Sequence, residues 1–154
     1  MAPYTWNGKE WRAAIAMLVK GRFVSRPIRL DLGPRGRDFE RADIEIAGIE
    51  QAGPSFEGRV FLNNPHAGLE TAPTPENGYA GSFHVYGYGL RSPEDTGAES
   101  TMAPIVKTVI ATDAVRAAAT GGDVTVTIVP VLTGDPPRDA VDALKLDSVK
   151  INIR

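Results

Sequence analysis

Residues 56–65 read Phe56-Glu57-Gly58-Arg59-Val60-Phe61-Leu62-Asn63-Asn64-Pro65. Phe56, Val60 and Leu62, with Gly58 in phase, alternate with Glu57, Arg59 and Phe61. A period of two predicts a β-strand with one face on a core. Asn63-Asn64-Pro65 ends it, because proline lacks the donor that a ladder needs. The same period recurs outward in both directions. Upstream, Ile28, Leu30 and Leu32 alternate with Arg29 and Asp31 as far as the turn signal Gly33-Pro34-Arg35-Gly36. Ile44 and Ile46 flank Glu45, and Gly48 then breaks phase before Ile49, which predicts a bulge. Downstream, 82–88 is a strand with Phe83, Val85 and Gly87 on one face and His84, Tyr86 and Tyr88 on the other. A further strand is predicted over 105–110. Val124, Val126 and Ile128 alternate with Thr125 and Thr127, and Pro130 predicts that this strand ends there or lies at an edge. After Leu144 and Leu146, Val149, Ile151 and Ile153 alternate with Lys150, Asn152 and Arg154.

Two segments carry helical signals instead. Over 7–20, Asn7 stands as cap with Glu10 completing a capping box. Trp11, Ala14, Ile15 and Leu18 form the apolar stripe, and Gly21 is the stop. Over 112–120, Thr112 is the expected cap, Asp113 suits the first turn, and Gly121-Gly122 end an alanine-rich body. About seven or eight short strands with two helices that do not interleave as βαβ units predict a mainly β chain, an antiparallel sandwich or barrel. The expected organisation is an N-terminal helical extension over 1–25 and a β-sandwich domain over 26–154. Long polar loops fall at 63–80 and 91–103, and a third opens at Asp135-Pro136-Pro137.

The composition bounds the chemistry. The chain has 154 residues, 42% of them hydrophobic, enough for one domain with its own core. Sixteen glycines and twelve prolines fit many turns. With 17 basic residues against 19 acidic ones, the chain has no basic surplus for a phosphate backbone, so nucleic acid is not an expected partner. The absence of cysteine excludes disulfides, thiolate metal sites and thiol catalysis. No run approaches the ~18 apolar residues of a bilayer span, and no signal peptide is visible, so a soluble, cytoplasmic chain with no membrane partner is expected. There is no Gly-Lys-Ser/Thr phosphate loop, no dinucleotide glycine fingerprint, no Gly-x-Ser-x-Gly elbow and no His-x-x-x-His pair. No cofactor is therefore expected.

Only two histidines occur, His66 and His84. A strand places His84, Tyr86 and Tyr88 on one face, and three readings of that face stand side by side. It is an amphipathic outer surface, a partner-binding or self-assembly face built on tyrosine, or a weak metal site using His84 and a phenolate. Tyr79 and His66 join the partner-binding candidates, and His66 and His84 are the weak metal candidates. Trp6 and Trp11 read as core or staple residues of the first helix. Arg35, Arg37 and Arg41 form a basic cluster diluted by Asp31, Asp38, Glu40 and Asp43, which reads as a solvated face.

Two segments together carry a family resemblance. The first is 56–65, quoted above. The second is Gly78-Tyr79-Ala80-Gly81-Ser82-Phe83-His84-Val85-Tyr86-Gly87. The pair resembles the C-terminal β-sandwich domain of tyrosinases, plant polyphenol oxidases and mollusc haemocyanins. Residues 106–119 resemble the strand and short helix that follow there, 124–130 the next strand, and 149–153 the closing strand. The similarity spans about 42–153, and 1–25 has no counterpart in the pattern. The Met1 start with its own capped helix suggests a stand-alone chain. The family's catalytic domain holds two coppers with six histidines on helices, which two histidines cannot supply. The resemblance therefore implies a non-catalytic accessory role beside a separate tyrosinase-like copper protein. In the fused enzymes this domain covers the copper entrance and inserts a plugging side chain. Loops 63–80 and 91–103 are the candidates for such an element. A homo-oligomer is the other expected assembly.

Overall fold

The computed structural model describes residues 19–20, 22–51, 53–87, 103–133, 141–142 and 144–154. The strands in chain order are β1 (Val19–Lys20), β2 (Phe23–Val24), β3 (Ile28–Arg29), β4 (Ala42–Ile49), β5 (Phe56–Leu62), β6 (Tyr79–Val85) and β7 (Ile105–Ile110). Helix α1 (Thr112–Ala118) follows, then β8 (Asp123–Val124), β9 (Val126–Leu132), β10 (Val141–Asp142) and β11 (Ser148–Ile153). Nine of these strands make three antiparallel sheets: a four-stranded one in the order β2-β9-β5-β6, a three-stranded one in the order β11-β4-β7, and the short pair β3-β8. β1 and β10 pair in parallel, two residues each.

The two larger sheets face each other across one core, and no sheet closes into a barrel. Ile44, Ile46 and Ile49 of β4 and Val109 of β7 meet Phe56, Val60 and Leu62 of β5, Phe83 and Val85 of β6, and Val126 and Ile128 of β9 in a single buried cluster. Each fully buried isoleucine contributes roughly 1.5–3 kcal/mol by leaving water. The alternation read from the sequence thus maps onto an inner face in every long strand. Gly48 makes the expected bulge: its φ is +75°, a conformation glycine adopts freely, and the β4–β7 register shifts between Ile46 and Ile49.

Helix α1 closes one end of the sandwich through fully buried Val115. Arg116 fastens it, donating from Nη2 to the Phe39 carbonyl at 2.7 Å and exchanging Nε-to-carbonyl bonds with Arg37 at 3.1 Å in each direction. Its guanidinium also stands 5.1 Å from the Phe39 ring centre. Arg37, expected on a solvated basic face, is therefore a tether for α1. Asp43 is the buried charge on β4, and it accepts from Arg41 Nε at 2.8 Å and Arg154 Nη2 at 3.4 Å. Such pairing is what a buried carboxylate requires.

Several expectations are corrected. The helix over 7–20 lies outside the described residues except for its last two, and Val19–Lys20 is strand, not helix. Trp6 and Trp11 also lie outside the described residues. Phe23 and Val24, grouped with the N-terminal extension by sequence, pair with Ile128 and Thr127 in the four-stranded sheet. Thr112 does not cap α1. Ala111 is the N-cap residue, with no side-chain bond, and Thr112 Oγ1 accepts from the Ala42 N–H instead. β9 does not stop at Pro130 but runs to Leu132. The Thr133 N–H to Ser55 carbonyl bond fixes the ladder phase, so Pro130 faces Gly58 at a position that exchanges no hydrogen bonds with β5. Its missing donor points to the other side, beyond the residues of β9 that pair with β2 among the described residues.

Gly58 is buried against an aromatic ring. A Cβ there would stand 2.3 Å from the Phe83 ring, which itself packs edge-on to Phe56 at 6.2 Å. Gly58→Ala is expected to cost roughly 1–3 kcal/mol by overpacking, read as a lower midpoint with unchanged slope in urea unfolding.

Candidate functional site

The outer face of the four-stranded sheet holds the polar residues singled out by sequence. The β5–β6 register sets Glu57 opposite His84 and Arg59 opposite Ser82. Arg59 Nε donates to Glu57 Oε1 at 2.6 Å, and His84 Nε2 stands 4.0 Å from Glu57 Oε2. The Glu57 and Arg59 side chains are 24% and 27% exposed, while that of His84 is 70% exposed. The imidazole therefore sits at the solvent rim of a half-covered ion pair. Tyr86 continues the same side with 77% exposure, and its carbonyl accepts from Gln51 Nε2 at 3.0 Å. Tyr88 lies outside the described residues.

His66 and Tyr79 have other surroundings. His66 is exposed on the turn after the C-terminal end of β5, closed by the Ala67 N–H to Asn64 carbonyl bond at 3.1 Å. His84 instead faces Glu57 near the N-terminal end of that strand. Among the described residues, no group of three or more histidine, aspartate or glutamate side chains could hold a metal ion. Tyr79 is half-buried, its ring edge-on to Phe61 at 5.6 Å. The same residue also lines the groove described below.

The 63–80 loop does not stand away from the sandwich. Ala67 and Leu69 pack on Phe61 and Val129, and Arg22 Nη1 donates to the Ala67 carbonyl at 3.1 Å. Asn64 Nδ2 donates to the Asn77 carbonyl, and Asn77 Nδ2 to the Ala72 carbonyl, both at 3.0 Å. Asn63 takes a positive φ of 55° and bonds Thr125 twice, through its N–H at 2.9 Å and its Oδ1 at 3.1 Å. Side-chain amides thus supply the partners that a ladder would otherwise give. Most of the second candidate loop, 91–103, lies outside the described residues.

Between this loop and α1 lies an open groove of about 800 Å³. Leu62, Ala80 and Ala114 line it as apolar surface, and Glu76 and Asp113 add carboxylates. Three segments far apart in the chain build it, so no local pattern reveals it; the asparagines at 63, 64 and 77 mark only the turns of the loop that bounds it.

The sandwich, with its short helix at one end and tethered loop, defines a β-sandwich domain of the kind found in polyphenol oxidases. Two solved structures carry the likeness, both of latent aurone synthase, a polyphenol oxidase, one from natural source and one recombinantly expressed. Each superposes with a TM-score of 0.54 at 20% identity, covering 86% of this chain and 24% of that chain. The chain thus spans about a quarter of the oxidases it resembles, consistent with the C-terminal-domain resemblance read from residues 56–65 and 78–87. No family model matches the chain, and neither does any curated protein.

The two environments predict different responses to truncation. His84→Ala and Tyr86→Ala are each expected to change stability by less than about 0.5 kcal/mol, as exposed positions do. Tyr79→Ala is expected to cost about 2–4 kcal/mol, because it strips the ring from Phe61. Chemical denaturation of the three variants side by side checks the contrast.

Proposed function

We propose that this chain is a non-catalytic accessory domain or subunit of a tyrosinase-like copper oxidase, acting in shielding, maturation or assembly of that enzyme. One observation carries the reading: the fold matches over 86% of this chain while accounting for only 24% of the oxidase. The residues left to this chain support it. Two histidines, at opposite ends of β5, do not fit the six-histidine, two-copper centre that the family resemblance implies. The oxidation would belong to the partner, and this chain would contribute a rigid surface. The groove between α1 and the tethered loop, together with the face bearing His84 and Tyr86, offers the surfaces for that contact.

The exposure of Tyr86 favours a second reading, a protein-binding or self-assembly module using the same sandwich as scaffold. Replacing His84 and Tyr86 together by alanine would then abolish association and leave the melting temperature nearly unchanged.

The test of the first reading uses a copper-loaded tyrosinase-type enzyme without its own β-sandwich domain. Calorimetry is expected to show binding of this chain at micromolar concentration, and phenol oxidation is expected to fall several-fold as the chain is titrated in. No heat of binding and no change in rate at about 100 μM, an affinity weaker than roughly −5.5 kcal/mol, would overturn it.

A further inference from the structure

Among the described residues, the β7 edge of the three-stranded sheet is unpaired and carries an unusual surface. β7 ends the order β11-β4-β7. The bond from the Ala111 N–H to the Ala42 carbonyl, at 2.9 Å, sets the ladder phase. With Ile44 opposite Val109 and Ile46 opposite Lys107, the odd-numbered residues of β7 bond to β4. The N–H and C=O groups of Val106, Thr108 and Ile110 therefore point away from β4, along the open edge. The side chains of these residues lie on the outer face, Val106 57% and Ile110 63% exposed, with exposed Thr108 between them. Two of the four large exposed apolar side chains in the described residues thus sit on one six-residue edge strand. The opposite edge differs. β11 turns Lys150 and Asn152 outward, and Asn152 bonds Glu45. Charged and polar side chains of that kind discourage edge pairing.

We infer that β7 is the pairing edge for a second copy of this chain, joined antiparallel about a two-fold axis through Thr108. The sequence is self-complementary in that register. Val106 meets Ile110 of the second copy, Thr108 meets its own counterpart, and Ile110 meets Val106. These are the residues whose backbone groups face outward, so the pairing forms about six hydrogen bonds between the chains. β-Branched pairs and a Thr–Thr pair are favourable across strands. The single charge of the strand, Lys107, falls opposite Val109 and not opposite another lysine, so like charges are not directly opposed. Pro104, which has no N–H, and the start of α1 bound the strand and fix the length of the pairing. Two three-stranded sheets become one continuous six-stranded sheet, with the isologous symmetry usual for dimers. Ile110 also borders the groove, so this interface abuts it, while the His84 face lies on the other sheet. Self-association is read on this chain alone and stands whether or not the oxidase reading does.

Pairing over so short a strand predicts a weak dimer, with a dissociation constant on the order of 10–100 μM. Sedimentation equilibrium of the full chain from about 1 to about 500 μM spans that range. Thr108→Pro removes a donor that β4 does not use, and Ile110→Lys places a charge on the outer face. Each is expected to weaken association at least tenfold, with far-UV circular dichroism unchanged. Ile110→Lys decides the matter if Thr108→Pro proves unfolded. A wild-type chain that stays monomeric throughout, or folded variants that dimerise as the wild type does, would overturn the inference.

Discussion

Phe61 is fully buried on the side of β5 opposite Val60 and Leu62. A strand buried on both faces cannot lie at the surface of a two-layer protein unless something covers its outer side. The rest of the fold follows from that requirement. On the inner face, Phe56, Val60 and Leu62 fill the main core. On the outer face, Phe61 gathers Ala67, Leu69, Tyr79 and Val129 into a second cluster. The loop after β5 must therefore turn back over its own sheet. Turning back exposes backbone groups to burial, and Asn63, Asn64 and Asn77 satisfy them. The groove against α1 is what remains beside a loop held in that position.

The sequence carried the strands well because their pattern is local. Alternation needs only neighbours, and β4, β5, β7 and β11 lie where it put them, while β6 starts at Tyr79 and ends at Val85, three residues earlier than the 82–88 expected. The Gly48 bulge was legible for the same reason, since a glycine that breaks phase is a local event. Pro130 misplaced only the end of β9, because the cost of a missing donor depends on which side of the ladder it points to, and here it points away from β5. Thr112 misled in a similar way: its hydroxyl serves the Ala42 amide of β4, seventy positions upstream, and not its own helix. Nothing near Tyr79 in the chain reveals that its ring packs edge-on to Phe61. The groove could not be read at all, since its walls come together only in the folded chain.

The chemistry follows the same division. The residue inventory already limited what the chain could catalyse: two histidines and no cysteine leave few routes. The structure adds that His84 borders a Glu57–Arg59 ion pair, while His66 sits on a turn at the other end of β5. A fold shared with a quarter of a polyphenol oxidase says which scaffold these residues ride on. Scaffold and activity are separable.

The strand order also governs when the protein can fold. The central strand of each sheet has a neighbour supplied late in the chain. β5 waits for β9, roughly 70 residues further on, and β4 waits for β11, about 100 residues further on, so local contacts alone cannot complete either sheet. During synthesis, β4 and β5 leave the ribosome well before those partners exist, with apolar inner faces and unpaired edges exposed. Such an order leaves apolar faces and strand edges uncovered until the last strands arrive, the condition under which folding competes with aggregation.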